Sequence, residues 1–242
     1  MKKYPDTLYY LGNTKLLEKR KVSIVGTRKP NQYTRDFTMR LAHALSARDV
    51  CVVSGAAMGV DAIAHKSAGA SNTIAVMANG LDIRYPAVNK TLIEAIEKSG
   101  LVLSQFCLGE RARPWSFVVR NELVVALGEV LIVTQADLGS GTMRSVEYAQ
   151  KMGKKIYVLP HRLGESEGTQ ALLGEAKAEA IYDIERFCEQ FGSLELGETD
   201  SFLEYCKKSP TYEEAMAQYS ELVFEYELEG KISIANGKVN LI

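Results

Sequence analysis

Three places in this sequence of 242 residues could bind an anion: two combine basic side chains with glycines or aromatic residues, and the third is a glycine-rich loop. The first is the turn Gly26-Thr27-Arg28-Lys29, which follows a short apolar run. A glycine after a buried strand lets a phosphate approach the backbone, Thr27 can donate its hydroxyl, and Arg28 can bind a phosphate through two N–H groups. The dinucleotide fingerprint GxGxxG is absent, because Arg28 stands where the second glycine belongs. The turn therefore predicts a phosphate clasp unlike that of an ordinary dehydrogenase.

The second place is the segment 106–121, where cations alternate with flat side chains. Its candidate residues are Arg111, Arg113, Trp115, Phe117, Arg120 and Asn121. Unpaired nucleic acid needs cations for its phosphates and flat faces for its bases, and stacking is worth about 1–3 kcal/mol per base. Two alternatives stay open: the aromatic residues could belong to the core, and Arg120 could be buried with its charge satisfied by a loop.

The third place is Gly139-Ser140-Gly141, a glycine-rich loop at the start of a predicted helix. The free amides of a helix N-terminus attract anions, so this loop predicts a further phosphate contact. The motif is weak on its own, and a plain tight turn is the alternative.

Asp61 and His65 lie four residues apart on one face of a predicted helix. They could form a catalytic acid–histidine pair. Acidic residues are favoured in the first turn of any helix, however, and no serine or cysteine stands out as a nucleophile. We therefore expect this pair to order the preceding loop, and we predict no catalytic residue.

The composition fits a protein with a full hydrophobic core, since 46% of the residues are hydrophobic. The four cysteines show neither CxxC spacing nor neighbouring histidines, so we expect reduced thiols, no metal and no cofactor. Tyr4-Pro5-Asp6 stands where a signal peptide would need an apolar run. This favours a cytoplasmic protein without membrane insertion.

Taken alone, the net charge of −1 argues against a nucleic-acid partner. The charge is, however, unevenly distributed along the chain. Residues 198–242 carry nine acidic and four basic side chains, a net −5, which leaves +4 for the rest of the chain. Because electrostatics dominates phosphate affinity, we expect this acidic tail to contact protein or pack, rather than to bind DNA.

Short β-branched runs alternate with helical patterns, which predicts βαβ units around a parallel sheet. The predicted strands are Lys21–Val25, Val50–Val53, Thr73–Met77, Leu101–Ser104, Val130–Thr134 and Lys155–Leu159, with an extra strand within 5–13. The predicted crossover helices are Tyr33–Arg48, Asn89–Lys98, Ser116–Ala126 and Gly141–Met152. The fold class is thus α/β, an extended Rossmann-like sheet with helices on both faces. Ligands bind such sheets beyond the carboxyl ends of the strands, where the three candidate places lie.

The pattern changes after Phe191, which predicts a second, smaller domain. Residues 192–199 contain two glycines and little periodicity, as is typical of a linker. Helical patterns follow at Ser201–Cys206, Tyr212–Gln218 and Glu221–Glu229, and then two strands around an Asn236-Gly237 turn. We predict a Rossmann-like DNA-binding domain over 1–191 and a winged-helix-like domain of three helices and a hairpin over 200–242.

Taken in order, these strings resemble the DNA-processing protein A family, also called DprA or Smf. The matching strings are Val22-Ser23-Ile24-Val25-Gly26-Thr27-Arg28, Ser54-Gly55-Ala56-Ala57-Met58-Gly59-Val60-Asp61 with Ala64-His65, Gly80-Leu81-Asp82 with Tyr85-Pro86 and Asn89, Arg120-Asn121, and Ser140-Gly141-Thr142. The resemblance implies a Rossmann domain that forms a homodimer and binds incoming single-stranded DNA during natural transformation. It also implies that the protein helps load the RecA recombinase, and that the tail is the family's optional C-terminal domain. The N-terminal sterile-alpha-motif-like domain of many members is not expected.

The chain departs from the family pattern at three points. Several relatives have a lysine before the phenylalanine that matches Phe117 and another in the glycine-rich loop, where this chain has Pro114-Trp115 and Gly139. Pro160-His161 stands where family members commonly have Pro-Gly. Arg28 and Phe117 match the family pattern best. Arg111, Arg113 and Trp115 are the candidates to replace the lysines of those relatives.

Two other functions compete with DNA binding. Related phosphoribohydrolases use a GGxGTxxE loop to cleave nucleoside monophosphates, but the residue three after Thr142 is Ser145. Glu147 comes two places later, a rotation of about 200° around a helix. A nucleotide-sensing Rossmann module is the other alternative.

Overall fold

The computed structural model describes residues 5–193, 201–228, 231–235 and 237–241. The chain divides into two compact units, Met1–Leu194 and Glu195–Ile242. Most of the predicted linker, at 194–199, lies outside the described residues, as do Glu229 and Asn236.

The larger unit is built on an eight-stranded sheet in the order β1-β5-β4-β3-β2-β6-β7-β8. The strands are β1 (Tyr9–Gly12), β2 (Lys21–Val25), β3 (Cys51–Ser54), β4 (Thr73–Met77), β5 (Leu101–Ser104), β6 (Leu131–Val133), β7 (Ile156–Val158) and β8 (Glu179–Ala180). All pairings are parallel except that of β1 with β5 at one edge. The chain steps outward from β2 to β5 and then returns to place β6 against the other side of β2. The carboxyl ends of β2 and β6 therefore form the topological switch point, where ligands bind in such sheets.

In the described residues of this unit, seven α-helices cover both faces of the sheet. They are α1 (Gln32–Ser46), α2 (Val60–Ala68), α3 (Lys90–Ser99), α4 (Pro114–Leu127), α5 (Gly141–Lys151), α6 (Glu167–Gly174) and α7 (Ile184–Cys188). Side chains of β2 alternate between the faces: Val22 and Ile24 join the core formed with α1, α2 and α7, whereas Val25 joins the core formed with α4, α5 and α6. The predicted α/β fold with helices on both faces is confirmed.

Some predicted boundaries were wrong by one or two residues. The second long strand begins at Cys51 rather than Val50, because the Val50 amide donates to the Leu45 carbonyl and closes the end of α1. The sequence analysis also missed β8, α6 and α7, which are too short for a clear periodicity.

The smaller unit contains α8 (Ser201–Cys206), α9 (Tyr212–Leu228) and an antiparallel hairpin of β9 (Ile232–Ala235) and β10 (Lys238–Leu241). Tyr219 has non-helical backbone angles, φ −140° and ψ 38°, which divide α9 near the predicted break between two helices. Phe202 is buried at the centre of this unit's core. The unit thus has the predicted three helices and hairpin.

Within the described residues, no helix combines the length and apolar character that a membrane crossing requires.

Candidate nucleic-acid interface

The turn after β2 is fixed from two sides. The Thr27 amide donates to the Gln135 carbonyl at 2.9 Å, and the Thr27 carbonyl accepts from the Val60 amide at 3.1 Å. Arg28 and Lys29 follow directly and are exposed. The turn therefore presents its two cations from a rigid backbone at the switch point of the sheet.

Two glycines permit this close packing. Gly59 has φ +78°, and a Cβ there would lie 2.4 Å from the Thr27 carbonyl oxygen. A Cβ on Gly26 would lie 2.6 Å from Cγ2 of Val60. The start of α2 and the cationic turn can meet only because neither glycine carries a side chain.

Phe117 lies at the centre of a cluster of cations and rings. The Cζ atoms of Arg28 and Arg120 lie 5.4 and 5.9 Å from its ring centroid, both within cation–π range. The Tyr85 ring lies 6.0 Å away, tilted by 49°. We call Arg28, Tyr85, Phe117 and Arg120 the Phe117 cluster; together with Gly55, Met58 and Asn79 they line one cleft.

Arg120 supports the cluster from below, since it is only 4% exposed. Its Nη1 donates to the carbonyls of Gly55 and, at 2.7 Å, of Val76, and its Nε donates to Oδ1 of Asn121 at 3.0 Å. Burial lowers the pKa of the guanidinium, an effect that the charge of Asp61 opposes. The guanidinium therefore ties the ends of β3 and β4 together, and Asn121 orients it.

Asp61 and His65 order the loop after β3, as the sequence analysis preferred. Oδ2 of Asp61 accepts from the Ala57 amide at 3.3 Å, and Nε2 of His65 accepts from the Ala56 amide at 3.3 Å. Burial raises the pKa of Asp61, and burial lowers the pKa of His65 to about 3. His65 is fully buried and neutral, in a position to brace this loop rather than to meet a substrate.

Trp115 belongs to a second cluster with Phe106, Arg111 and Arg113, which we call the Trp115 cluster. These residues line a separate cleft of about 390 Å³, which shares no lining residue with the first. Trp115 is 53% exposed, so it is not a core residue, and its ring meets that of Phe106 edge-on at 5.7 Å. Two positions along α4 correspond to about 200°, so Trp115 and Phe117 project to different sides. The single predicted segment therefore forms two clefts.

The loop Gly139-Ser140-Gly141 opens α5 and continues the segment that begins at Gln135, the residue bonded to Thr27. Gly139 has φ +72°, and the Ser140 Oγ has no hydrogen-bond partner in the described chain although it is buried. The loop lies at the same edge of the sheet as Arg28. Within the described residues, no hydrogen bond, ion pair or ring contact joins it to the Phe117 cluster.

The lining of the first cleft includes residues to which the sequence assigned no role, among them Gly55, Asn79 and Tyr85. A Cβ on Gly55 would lie 2.4 Å from the Arg120 guanidinium carbon, so a side chain at this position would displace the buried cation. Tyr85, in the Tyr85-Pro86 string of the resemblance, places a half-exposed ring beside Phe117. Asn79 is almost fully buried, and only its position directly beyond β4 could have indicated it.

In the described part of the chain, the exposed cations of these loops have no acidic partner. Among the ion pairs of the described residues, none involves Arg28, Lys29, Arg111 or Arg113. In the same part of the chain, no three His, Cys, Asp or Glu side chains could together hold a metal ion.

Fold and clefts together define a class of protein: a Rossmann-like domain whose switch point presents unpaired arginines beside flat aromatic rings. Comparison with known proteins names the family. Residues 1–192 match the model of the family described as "DNA recombination-mediator protein A", and the chain belongs to that family.

Several relatives share this part of the chain. Protein Smf of Synechocystis is 33% identical over 200 residues, 79% of this chain and 50% of its own length. DNA processing protein DprA of Streptococcus pneumoniae is 34% identical over 175 residues, 71% of this chain and 62% of its own length. The chain thus spans about half to three fifths of these curated relatives.

Solved structures show the same fold. DNA processing protein A of Helicobacter pylori, whose structure describes its single-stranded DNA binding mode, has a TM-score of 0.77 and 42% identity; the match covers 78% of this chain and 88% of that one. DprA of Streptococcus pneumoniae has a TM-score of 0.71 and 32% identity, covering 77% and 66%. A molybdenum cofactor binding protein of Rippkaea orientalis, 17% identical with a TM-score of 0.51, shares the fold alone.

Proposed function

We propose that this chain binds single-stranded DNA along the carboxyl edge of its sheet, without catalysis. The observation that carries the proposal is the exposed Arg28, held 5.4 Å from the Phe117 ring centroid with no acidic partner in the described chain. An arginine can bind a phosphate through two N–H groups, while the neighbouring rings offer faces to unstacked bases.

The other predicted contacts extend this surface. Lys29 follows Arg28, the Trp115 cluster supplies two more exposed arginines and a half-exposed ring, and the Gly139-Ser140-Gly141 loop offers free amides at the start of α5. Asn121 and Arg120 take part indirectly, because Arg120 is committed to backbone carbonyls.

Nucleotide hydrolysis is supported less well. A phosphoribohydrolase would need an acid at position 145, where the structure has a buried serine. Glu147 forms an exposed ion pair with Arg144 at 3.0 Å. The relatives are named for DNA processing and recombination mediation, which also favours binding over turnover.

The remaining steps follow from the family. A recombination mediator must pass its strand on, so we propose that the bound strand is transferred to the RecA recombinase during natural transformation. We also propose that two copies act together through their Rossmann domains.

A salt titration of oligonucleotide binding tests the proposal. Affinity should rise with oligonucleotide length and fall by roughly 0.7 log units per log unit of salt for each phosphate contact. A nucleotide sensor would instead bind free nucleotide saturably, and an enzyme would release ribose 5-phosphate from AMP.

Arg28→Ala locates the contact. We expect an affinity loss of about 2 kcal/mol, the range of a hydrogen bond to a charged group. The matched control is Arg40→Ala, because Arg40 also lies over a phenylalanine, 5.1 Å from the Phe37 ring centroid, but on α1. Equal losses in the two folded variants would remove Arg28 from the proposal.

A further inference from the structure

The string Gly80-Leu81-Asp82 comes shortly after β4, and none of the contacts proposed above uses it. It begins the loop that leads to Tyr85 of the Phe117 cluster. The turn 107–110 follows β5 and leads directly into Arg111 and Arg113 of the Trp115 cluster. Because β4 and β5 are neighbours in the sheet, the two segments lie side by side at its carboxyl edge. The contacts between them therefore decide how the two clusters are spaced.

The carboxylate of Asp82 holds the tip of this turn. Both of its oxygens accept from the Gly109 amide, at 2.9 and 3.0 Å, across 27 positions of the sequence. Gly109 has φ +81°, and the Glu110 amide closes the turn by donating to the Cys107 carbonyl at 3.1 Å. A hydrogen bond to an ionised acceptor is stronger than one between neutral groups. Asp82 thus links the loop after β4 firmly to the turn after β5.

The base of the turn is fixed as well. The Gly80 amide donates to the Glu110 carbonyl at 2.8 Å, and a Cβ on Gly80 would lie 2.3 Å from the Cys107 carbonyl oxygen. Nδ2 of Asn79 donates to the Gly80 carbonyl at 2.8 Å, and Asn79 also lines the cleft of the Phe117 cluster. A continuous series of hydrogen bonds therefore runs from that cleft to the residue before Arg111.

An acidic residue at this edge of the sheet requires an explanation, because a carboxylate repels phosphates. Asp82 is exposed, and among the ion pairs of the described residues none neutralises its charge. Its carboxylate is instead directed at a backbone amide of the turn. The hydrogen bond to Gly109 is therefore the contribution that offsets an unfavourable charge.

We propose that Asp82 is a positioning residue for strand binding, which holds the turn 107–110 so that Arg111 and Arg113 stand at a set distance from the Phe117 cluster. The arginine side chains remain free, and the backbone from which they project is fixed. A strand that contacts both clusters then does not have to order this backbone, and ordering an interface segment costs affinity. The inference rests on the proposed function and adds the residue that sets the spacing of its two clusters.

The test measures the affinity of the full chain for oligo(dT) by fluorescence anisotropy. Asp82→Ala should weaken binding about fivefold, as expected when one or two interface groups lose their preorganisation. Asp82→Asn removes the charge but keeps an oxygen that can accept from the Gly109 amide. It should therefore bind at least as tightly as the wild type.

The matched control is Asp137→Ala. Asp137 is an exposed acidic residue that follows β6 at the same edge, four places from β5 in the strand order. Removing a negative charge there should leave the affinity unchanged or raise it, because phosphates are repelled less. The sign of the effect therefore separates positioning by Asp82 from its charge alone.

A double-mutant comparison shows through which residues Asp82 acts. In a chain that carries both Arg111→Ala and Arg113→Ala, Asp82→Ala should cause no further loss of affinity. In an Arg28→Ala chain it should cause the same loss, about fivefold, as in the wild type. General damage to the fold would weaken binding in both chains.

Each of three outcomes would overturn this inference alone. Unchanged or tighter binding by Asp82→Ala would show that Asp82 is only a charge at the edge. Equal losses in Asp82→Ala and Asp82→Asn would show that the loss does not come from the hydrogen bond to Gly109. A loss that persists without Arg111 and Arg113 would show that Asp82 does not act through them. If the wild type binds no oligo(dT), the proposed function fails, and this inference fails with it.

Discussion

The Phe117 and Trp115 clusters contain the same kinds of side chain but are built differently. Phe117 lies over Arg120, which is buried and bonded to two backbone carbonyls. Trp115 contacts Phe106, and the arginines beside it are exposed. In the first cluster Arg120 therefore fixes the support of the Phe117 ring before any ligand arrives, whereas both arginines of the second must give up side-chain freedom on binding.

This difference has an energetic consequence. Immobilising a flexible interface side chain costs about 0.5–1.5 kcal/mol, so a preorganised cation and ring retain more of their contact energy. We infer that the Phe117 cluster supplies most of the affinity, and that the Trp115 cluster lengthens the bound segment.

We expect the largest effect from Arg120→Met. This substitution removes the buried support of the Phe117 cluster and leaves the Trp115 cluster unchanged. The carbonyls of Gly55 and Val76 would lose their donor, and Asp61 would lose the cation that stabilises its charge. Removing one member of a buried charged network costs about 3–5 kcal/mol. Urea unfolding should show this loss, whereas Arg113→Met, at an exposed arginine, should change the unfolding free energy by less than about 0.5 kcal/mol. Similar stabilities for the two variants would end the distinction between a fixed and an adaptable cluster.

The pH dependence of stability tests the same support through His65. Its pKa is lowered from 6.5 to about 3 in the folded protein, so the unfolded chain takes up a proton below pH 6.5 while the folded chain does not. Stability from this group is therefore complete above about pH 6.5 and is lost as pH falls toward 3. The raised pKa of Asp61 acts in the opposite direction, but it is common to wild type and variant.

His65→Asn isolates this contribution, since asparagine can still accept and donate. The unfolding free energy of the variant should fall less steeply than that of the wild type between pH 6.5 and 4. Parallel curves would show that His65 takes up its proton without unfolding the loop after β3.

The sequence was sufficient for every strand of the sheet except β8 and for the edge that carries the candidate site. Buried β-branched runs such as Thr73–Met77 predicted their strands with the observed boundaries, because burial on both faces leaves a continuous apolar signal. The same apolar runs predicted that the turn Gly26-Thr27-Arg28 and the loop Gly139-Ser140-Gly141 each follow a strand. These strands, β2 and β6, are adjacent in the sheet.

The division of the 111–121 segment into two clefts was beyond sequence reasoning. It depends on where α4 begins: Ser116 Oγ accepts from the Arg113 amide and sets the start at Pro114, which fixes the directions of Trp115 and Phe117. Whether Arg120 lies at the surface or below it depends on Gly55, a residue 65 positions away. Such long-range packing leaves no local pattern.

Phe117→Ala and Trp115→Ala measure the difference between the clusters in DNA affinity. Stacking contributes about 1–3 kcal/mol per base, and we expect about 2 kcal/mol for Phe117 and about 1 kcal/mol for Trp115. Shortening the oligonucleotide should reduce the Trp115 effect first, because that cluster serves the end of a longer segment. Fluorescence anisotropy with two oligonucleotide lengths gives all four values. A larger loss at Trp115 would reverse the assigned roles.

The smallest effect is expected from the acidic unit, because residues 198–242 carry nine acidic and only four basic side chains. Glu225 and Glu227 are exposed on α9, where a DNA-reading helix would need cations. Changing both to glutamine should alter single-stranded DNA affinity by less than about 0.5 kcal/mol and should leave the salt dependence unchanged, because neither side chain contacts a phosphate. Removing residues 198–242 should likewise preserve most of the affinity, with Arg28→Ala in the shortened chain causing the same loss as in the full chain. A collapse of affinity on removal, with the glutamine variant unaffected, would mean that this unit supplies contacts of its own, and the two clusters would then be only part of the binding surface.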